Sequence, residues 1–172
     1  MHTDVTVAPR LRPLRGLVPD RTLVLGMGNP ILSDDGFGLV VAERLLALPL
    51  PAGVEVIQSE VAGLRLLELM RGFDKVIIVD ALKSDRTPGD IVRFEGTDFK
   101  GGHRYGSAHS IGLATALELG EKLGYKMPGQ IVAFAAEAED VETFGERLSA
   151  PVEAACDVVV GLVLTELGAS QE

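Results

Sequence analysis

The chain has 172 residues, 47% hydrophobic and 24% charged, with a mean hydropathy of +0.25, a balance that excludes disorder over most of its length and permits one well-filled core. Its 16 basic and 25 acidic residues leave a net charge of −9, which disfavours a nucleic-acid partner because such a surface repels phosphate. The single cysteine, Cys156, excludes an intrachain disulfide, and the longest apolar run, Val158 to Leu164, is far too short to cross a bilayer, so the expected compartment is the cytoplasm, with no membrane span.

Residues 1–20 hold Pro9, Pro13 and Pro19 among Arg10, Arg12 and Arg15, which predicts a flexible N-terminal tail ahead of a single α/β domain over 21–172. Thr22–Leu25 reads as a short strand closed by Gly26 and Gly28, and Phe37–Leu48 as a helix, with Leu39, Val40, Leu46 and Ala47 at helical spacing. Val54–Gln58 alternates like a strand, and Val61–Met70 carries Leu64, Leu67 and Leu69 through a second helix. Lys75–Asp80 is β-branched on both faces, as expected of a buried parallel strand. After the Pro88-Gly89 turn signal, Asp90–Glu95 reads as a short antiparallel edge strand. Ser110–Leu123 predicts a helix, Gln130–Ala135 a buried strand and Ala150–Leu167 a closing helix. Ser149 is placed to cap that helix, Pro151 lies in its first turn, and Cys156 is a small core residue within it. Five strands and four helices in mainly βαβ order predict a three-layer αβα sandwich with a mostly parallel sheet. Ligands are then expected at the carboxyl ends of the strands, near the point where the strand order reverses.

The segment Gly26-Met27-Gly28-Asn29-Pro30-Ile31 invites a dinucleotide-binding reading. The third glycine of that fingerprint is Ile31, however, and Pro30 obstructs a smooth helix entry, so a tight turn is the better account. Ser33-Asp34-Asp35-Gly36 then sets two carboxylates at the mouth of the first helix, where the helix dipole alone would favour a pair of caps. Asp80 ends the third strand, where an acid costs desolvation unless something pairs with it. Its structural alternative is to cap the loop around Lys83 and Ser84. In a sheet that begins 2-1-3, the Asp35 loop and Asp80 open onto one crevice. His109, in Gly106-Ser107-Ala108-His109-Ser110, stands where the helix after the edge strand should begin, although a solvated or hydrogen-bonded histidine would also fit there. His2 and His103 lie in the tail and in a glycine-rich loop, poorer places for a ligand. Two carboxylates and one imidazole make a mixed oxygen and nitrogen set with open positions, suited to nickel, zinc or iron. No Gly-x-Ser-x-Gly elbow supports serine chemistry.

The run from Leu23 to Gly38 resembles the first signature of the nickel-iron hydrogenase maturation endopeptidases, a glycine-x-glycine-asparagine turn followed by an acidic pair and glycine. Val76–Ala81 resembles the second signature of that family, and Ser107–Leu113 its histidine-bearing third; weaker similarity runs from about Arg21 to Leu167. The resemblance implies an enzyme that removes a short C-terminal extension from the hydrogenase large-subunit precursor after nickel has been inserted. It also implies Asp35, Asp80 and His109 as the metal-contacting and catalytic residues, with nickel supplied by the substrate and zinc or another divalent ion able to replace it in vitro. The chain departs from the family pattern at Gln58-Ser59-Glu60-Val61-Ala62-Gly63, where an aspartate and glycines are common, and in the proline-rich tail. Two readings from other classes stay open at this point: a non-catalytic nickel-sensing chaperone of the same precursor, and a peptidyl-tRNA hydrolase-like enzyme, against which the −9 charge argues.

Overall fold

Runs of β-branched and aliphatic residues build the centre of the molecule, in a computed structural model that describes residues 20–60, 63–99 and 113–168. The strands are β1 (Thr22–Met27), β2 (Val54–Ser59), β3 (Lys75–Leu82), β4 (Ile91–Glu95) and β5 (Gln130–Glu137), and they form one sheet in the order β2-β1-β3-β5-β4. All neighbours are parallel except β4 and β5, so β4 is the antiparallel edge that its position after a turn signal predicts. The helices are α1 (Phe37–Leu46), α2 (Arg65–Met70), α3 (Leu113–Lys122) and α4 (Ala150–Glu166). Short 3₁₀ turns occupy Ser33–Gly36 and Gly96–Phe99. Among the described residues, no helix is long and apolar enough to cross a membrane. The expected N-terminal tail lies almost entirely outside the described residues, as does the start of the helix expected from Ser110.

Because side chains alternate across a strand, the sheet feeds two cores. Val24, Ile77, Val79 and Phe134 pack with α1 and α4 on one face. Leu23, Leu25, Ile78 and Ala133 pack with α2 and α3 on the other. The result is the three-layer αβα sandwich expected from the order of elements.

Three local expectations are corrected. The buried stripe of α1 is Phe37, Leu39, Val41, Ala42 and Leu45, while Leu46 is 55% exposed and Ala47 faces solvent. In α2 the buried residues are Leu66, Leu67 and Met70, and Leu64 is 55% exposed. Leucine doublets read equally well on either helical face, and the sheet surface chooses between them. In addition, β3 runs on to Leu82 because Asp80, Ala81 and Leu82 pair with Ala135, Ala136 and Glu137 of β5. Asp80 therefore sits inside the strand and not at its end.

The approach of α1 to the sheet is set by glycines. A Cβ on Gly26 would fall 2.2 Å from the Gly38 carbonyl oxygen and 2.6 Å from Ala42 Cβ. One on Gly38 would fall 2.2 Å from the Val79 carbonyl oxygen and 2.3 Å from that of Met27. Helix and sheet thus touch backbone to backbone at the carboxyl ends of β1 and β3. The close approach is incompatible with any side chain on either glycine. Gly38→Ala is expected to cost about 3 kcal/mol of stability through overpacking against main chain that has nowhere to move, read as a lowered midpoint in urea unfolding.

Candidate active site

After β1 the chain turns at Gly28, and a Cβ there would lie 2.0 Å from the carbonyl oxygen of Asp35. That carbonyl also accepts a bond from the Asn29 N–H at 3.2 Å, and the Asp35 N–H donates to Leu32 at 3.0 Å. Ser33 takes a positive φ of 45° to make the turn, a conformation that a non-glycine residue holds only when its surroundings fix it. The space beside these glycines, which a nucleotide phosphate would need, is filled by the protein's own Asp35 and Gly38 backbone. The tight-turn reading of the motif therefore holds, and it serves to pin Asp35, half-buried, over the carboxyl end of β1.

The two adjacent aspartates have different surroundings. Asp34 is fully buried. Its Oδ2 accepts from the N–H groups of Glu139 and Asp140 at 2.9 and 3.1 Å and from the Ser149 hydroxyl at 2.9 Å, and its Oδ1 accepts from the Ser149 N–H at 2.6 Å. Main-chain bonds run alongside, with the Asp34 N–H donating to Asp140, the Ser33 N–H to Gly145 and the Gly145 N–H to Ile31. The loop between β5 and α4 is thereby fastened to the turn that carries Asp35. Asp140 holds the same loop from within: accepting bonds from the Thr143 side chain and from the Thr143 and Glu142 amides keeps its carboxyl at about 2. Ser149 stands at the N-cap of α4 as expected but makes no side-chain cap, because its hydroxyl is committed to Asp34.

Asp80 is also fully buried, one residue beyond Gly26↔Val79, the last β1–β3 pair. It lies where the strand order reverses, and the Ser33–Gly36 turn packs against the same strand. Strand alternation sets it on the face of Val76, Ile78 and Leu82. Its Oδ1 accepts from the Ala81 N–H at 2.9 Å. The structural alternative, anchoring the Lys83–Ser84 loop, falls to another acid. Glu137 at the end of β5, 1% exposed, accepts from the Ser84 N–H and hydroxyl, both at 2.7 Å. The Lys83 ammonium donates to the carbonyls of Ala138 and Glu139. Glu137 follows an apolar run in the sequence just as Asp80 does, so the sequence carried the same signal for it.

The structure thus brings Asp35 and Asp80 to one end of the sheet. His109, like His2 and His103, lies outside the described residues. Beside the Asp35 turn a cleft of about 380 Å³ opens between the β5–α4 loop and the end of β2, lined by Pro30, Ser33, Gly36, Leu39, Gln58 and Glu146. Cys156 is buried in α4 and its Sγ lies 3.6 Å from the Val152 carbonyl. Burial pushes that thiol up to about 11, so it supplies no thiolate nucleophile at neutral pH.

Comparison with known proteins matches residues 39–166 to the family described as HycI, hydrogenase maturation protease. The hydrogenase expression/formation protein HupD of Rhodobacter capsulatus is 30% identical over 155 residues, covering 88% of this chain and 73% of that protein. The hydrogenase 2 maturation protease of Escherichia coli is 38% identical over 101 residues, 56% of this chain and 61% of that one. Among solved structures, the E. coli hydrogenase maturating endopeptidase HybD superposes with a TM-score of 0.76 at 30% identity, covering 86% of this chain and 92% of its own. The HybD maturation protease of Thermococcus kodakarensis gives 0.66 at 27% identity, covering 86% and 99%.

The paired aspartates should separate cleanly in stability. Asp34→Ala leaves four part-buried donors of the β5–α4 loop without their buried acceptor and is expected to cost about 3 kcal/mol. Asp35→Asn, one residue along, is expected to stay within about 1 kcal/mol of the parent. Urea unfolding of the two variants beside the parent chain checks both.

Proposed function

Because the chain belongs to the hydrogenase maturation protease family, we propose that it removes a C-terminal extension from the nickel-loaded large-subunit precursor of a nickel-iron hydrogenase. In this reading it works in the cytoplasm, and Asp35, Asp80 and His109 hold the precursor's nickel beside the scissile bond. The observation that supports it most directly is the buried Asp80 carboxylate at the reversal of strand order. The Asp35 turn packs on the same strand.

Nickel enters this scheme as cargo of the substrate. Two carboxylates and one imidazole lack the thiolates or extra imidazoles of a closed structural site, so the donor set suits a divalent ion presented with ligands of its own. Nickel supplies a positive charge that polarises the scissile carbonyl. On the enzyme, Asp80 is the rigid partner, fixed by burial and by the Ala81 N–H. Asp35 is half-buried, on the turn whose Ser33 and Gly36 line the cleft, and in this reading it is the carboxylate that takes the proton of an attacking water. His109 precedes α3 by four residues in sequence. That helix packs on the sheet face to which strand alternation assigns Asp80.

The test is side-by-side digestion of nickel-loaded and nickel-free precursor by metal-stripped enzyme, read by intact mass. The loaded form should be cut and the free form spared. Asp35→Asn and His109→Ala should each lower processing about a hundred-fold or more while leaving circular dichroism unchanged. Equal cleavage of the two precursors would leave a general peptidase, and tight binding without loss of mass would leave a chaperone.

A further inference from the structure

Among the described residues, strand β2 is an open edge of the sheet, the one beside the candidate site. Two bonds bracket its ladder with β1, from the Thr22 N–H to the Gly53 carbonyl and from the Gly28 N–H to the Ser59 carbonyl. In a parallel ladder successive residues address opposite sides. Odd-numbered residues of β2 therefore bond to β1, and the main-chain N–H and C=O of Val56 and Gln58 point outward. The usual protections of an edge are sparse here. The strand reads Val-Glu-Val-Ile-Gln-Ser, with no proline or lysine, and Val54, Val56 and Ile57 are only half-buried.

A cleft flanks this edge on each face of the sheet. On the α1 face is the cleft beside the Asp35 turn, which also takes in Glu43 and Glu60, so that with Glu146 it carries three carboxylates and, among the described residues, no cationic side chain. On the α2 face a second cleft, of about 370 Å³, is lined by Ile57, Arg65, Glu68 and Leu69. Gln58, Ser59 and Glu60 border both. Two clefts on opposite faces of one edge match an added strand, whose side chains alternate between the faces while its main chain bonds to the edge.

We propose that β2 receives the precursor's C-terminal extension as an added strand, with a cationic side chain in the carboxylate-lined cleft and an apolar one against Ile57 and Leu69. This rests on the protease reading and names how its substrate is held. The reach is right: an added strand stands three strand spacings from β3, roughly 14 Å, which about four extended residues span to bring the scissile bond to Asp80.

The experiment follows amide hydrogen exchange by NMR in the full chain carrying Asp35→Asn, so that the extension stays attached. It is run with nickel-loaded large-subunit precursor and again with the same subunit lacking its extension. The Val56 and Gln58 amides should slow by roughly ten-fold or more with the precursor alone, while Glu55 and Ile57, already bonded to β1, stay unchanged. Unchanged Val56 and Gln58, slowing with both subunit forms, or slowing that tracks enzyme concentration without precursor would each overturn the proposal; the last would assign the edge to a second copy of the chain. Val56→Pro removes one outward N–H and leaves the β1 ladder whole. In the otherwise unaltered enzyme it should raise KM roughly ten-fold with kcat little changed, and an unchanged KM would count against the edge. Should the unaltered enzyme protect Val56 and Gln58 yet fail to cut the precursor, the protease reading falls and the added strand stands.

Discussion

Contact between bare backbones at Gly26, Gly28 and Gly38 is the constraint on which the rest of this structure depends. Without side chains there, the turn after β1 and the first residues of α1 lie directly on the carboxyl ends of β1 and β3. That closeness holds Asp35 over the end of the sheet, and it fills the volume in which a related glycine motif would admit a phosphate. One set of glycines therefore takes up that volume with the protein's own backbone and carries Asp35 to the end of the sheet that bears Asp80. The difference lies in what occupies the space, which no motif states.

Burial then divides the acids by task. Asp34 and Glu137 are fully or almost fully buried and each satisfies donors of a neighbouring loop, so their cost of desolvation is offset by the bonds they accept. Asp80 is equally buried and accepts from the Ala81 N–H, while Glu137 and the carbonyls of Ala138 and Glu139 take the Ser84 and Lys83 groups that follow it. A reversal of strand order is where open α/β sheets collect ligands, and Asp80 is the buried carboxylate at that place. Asp34 acts behind this site, tying the β5–α4 loop to the Asp35 turn, so the wall of the adjoining cleft and the candidate ligand share one fastening.

Sheet topology supplies what remains. Because β1 and β3 are neighbours while β2 lies outside them, the acids sit two strands in from an open edge, and both clefts border the last residues of that edge. An endopeptidase must take its substrate extended, and an edge strand ending beside the acids is where this fold has main-chain groups to offer it.

Local periodicity, turn residues and short contiguous motifs suffice for the strand and helix order, the parallel core, the antiparallel β4 edge and the family. The sequence singled out Asp80 because a polar residue closing an apolar run is visible in one dimension, and the pair Asp34-Asp35 because it stands at the mouth of a helix; the choice of Asp35 within the pair came with the family resemblance. It did not tell Asp34 from Asp35, for adjacent identical side chains carry no local difference, and only a loop more than a hundred residues away makes one of them a structural acceptor. Nor did it decide which face of the leucine doublets in α1 and α2 is buried, that β3 continues past Asp80, or that Ser149 gives its hydroxyl to Asp34 instead of its own helix. Each of those outcomes is settled by a partner distant in sequence. A partner of that kind exists only once the chain has folded around it.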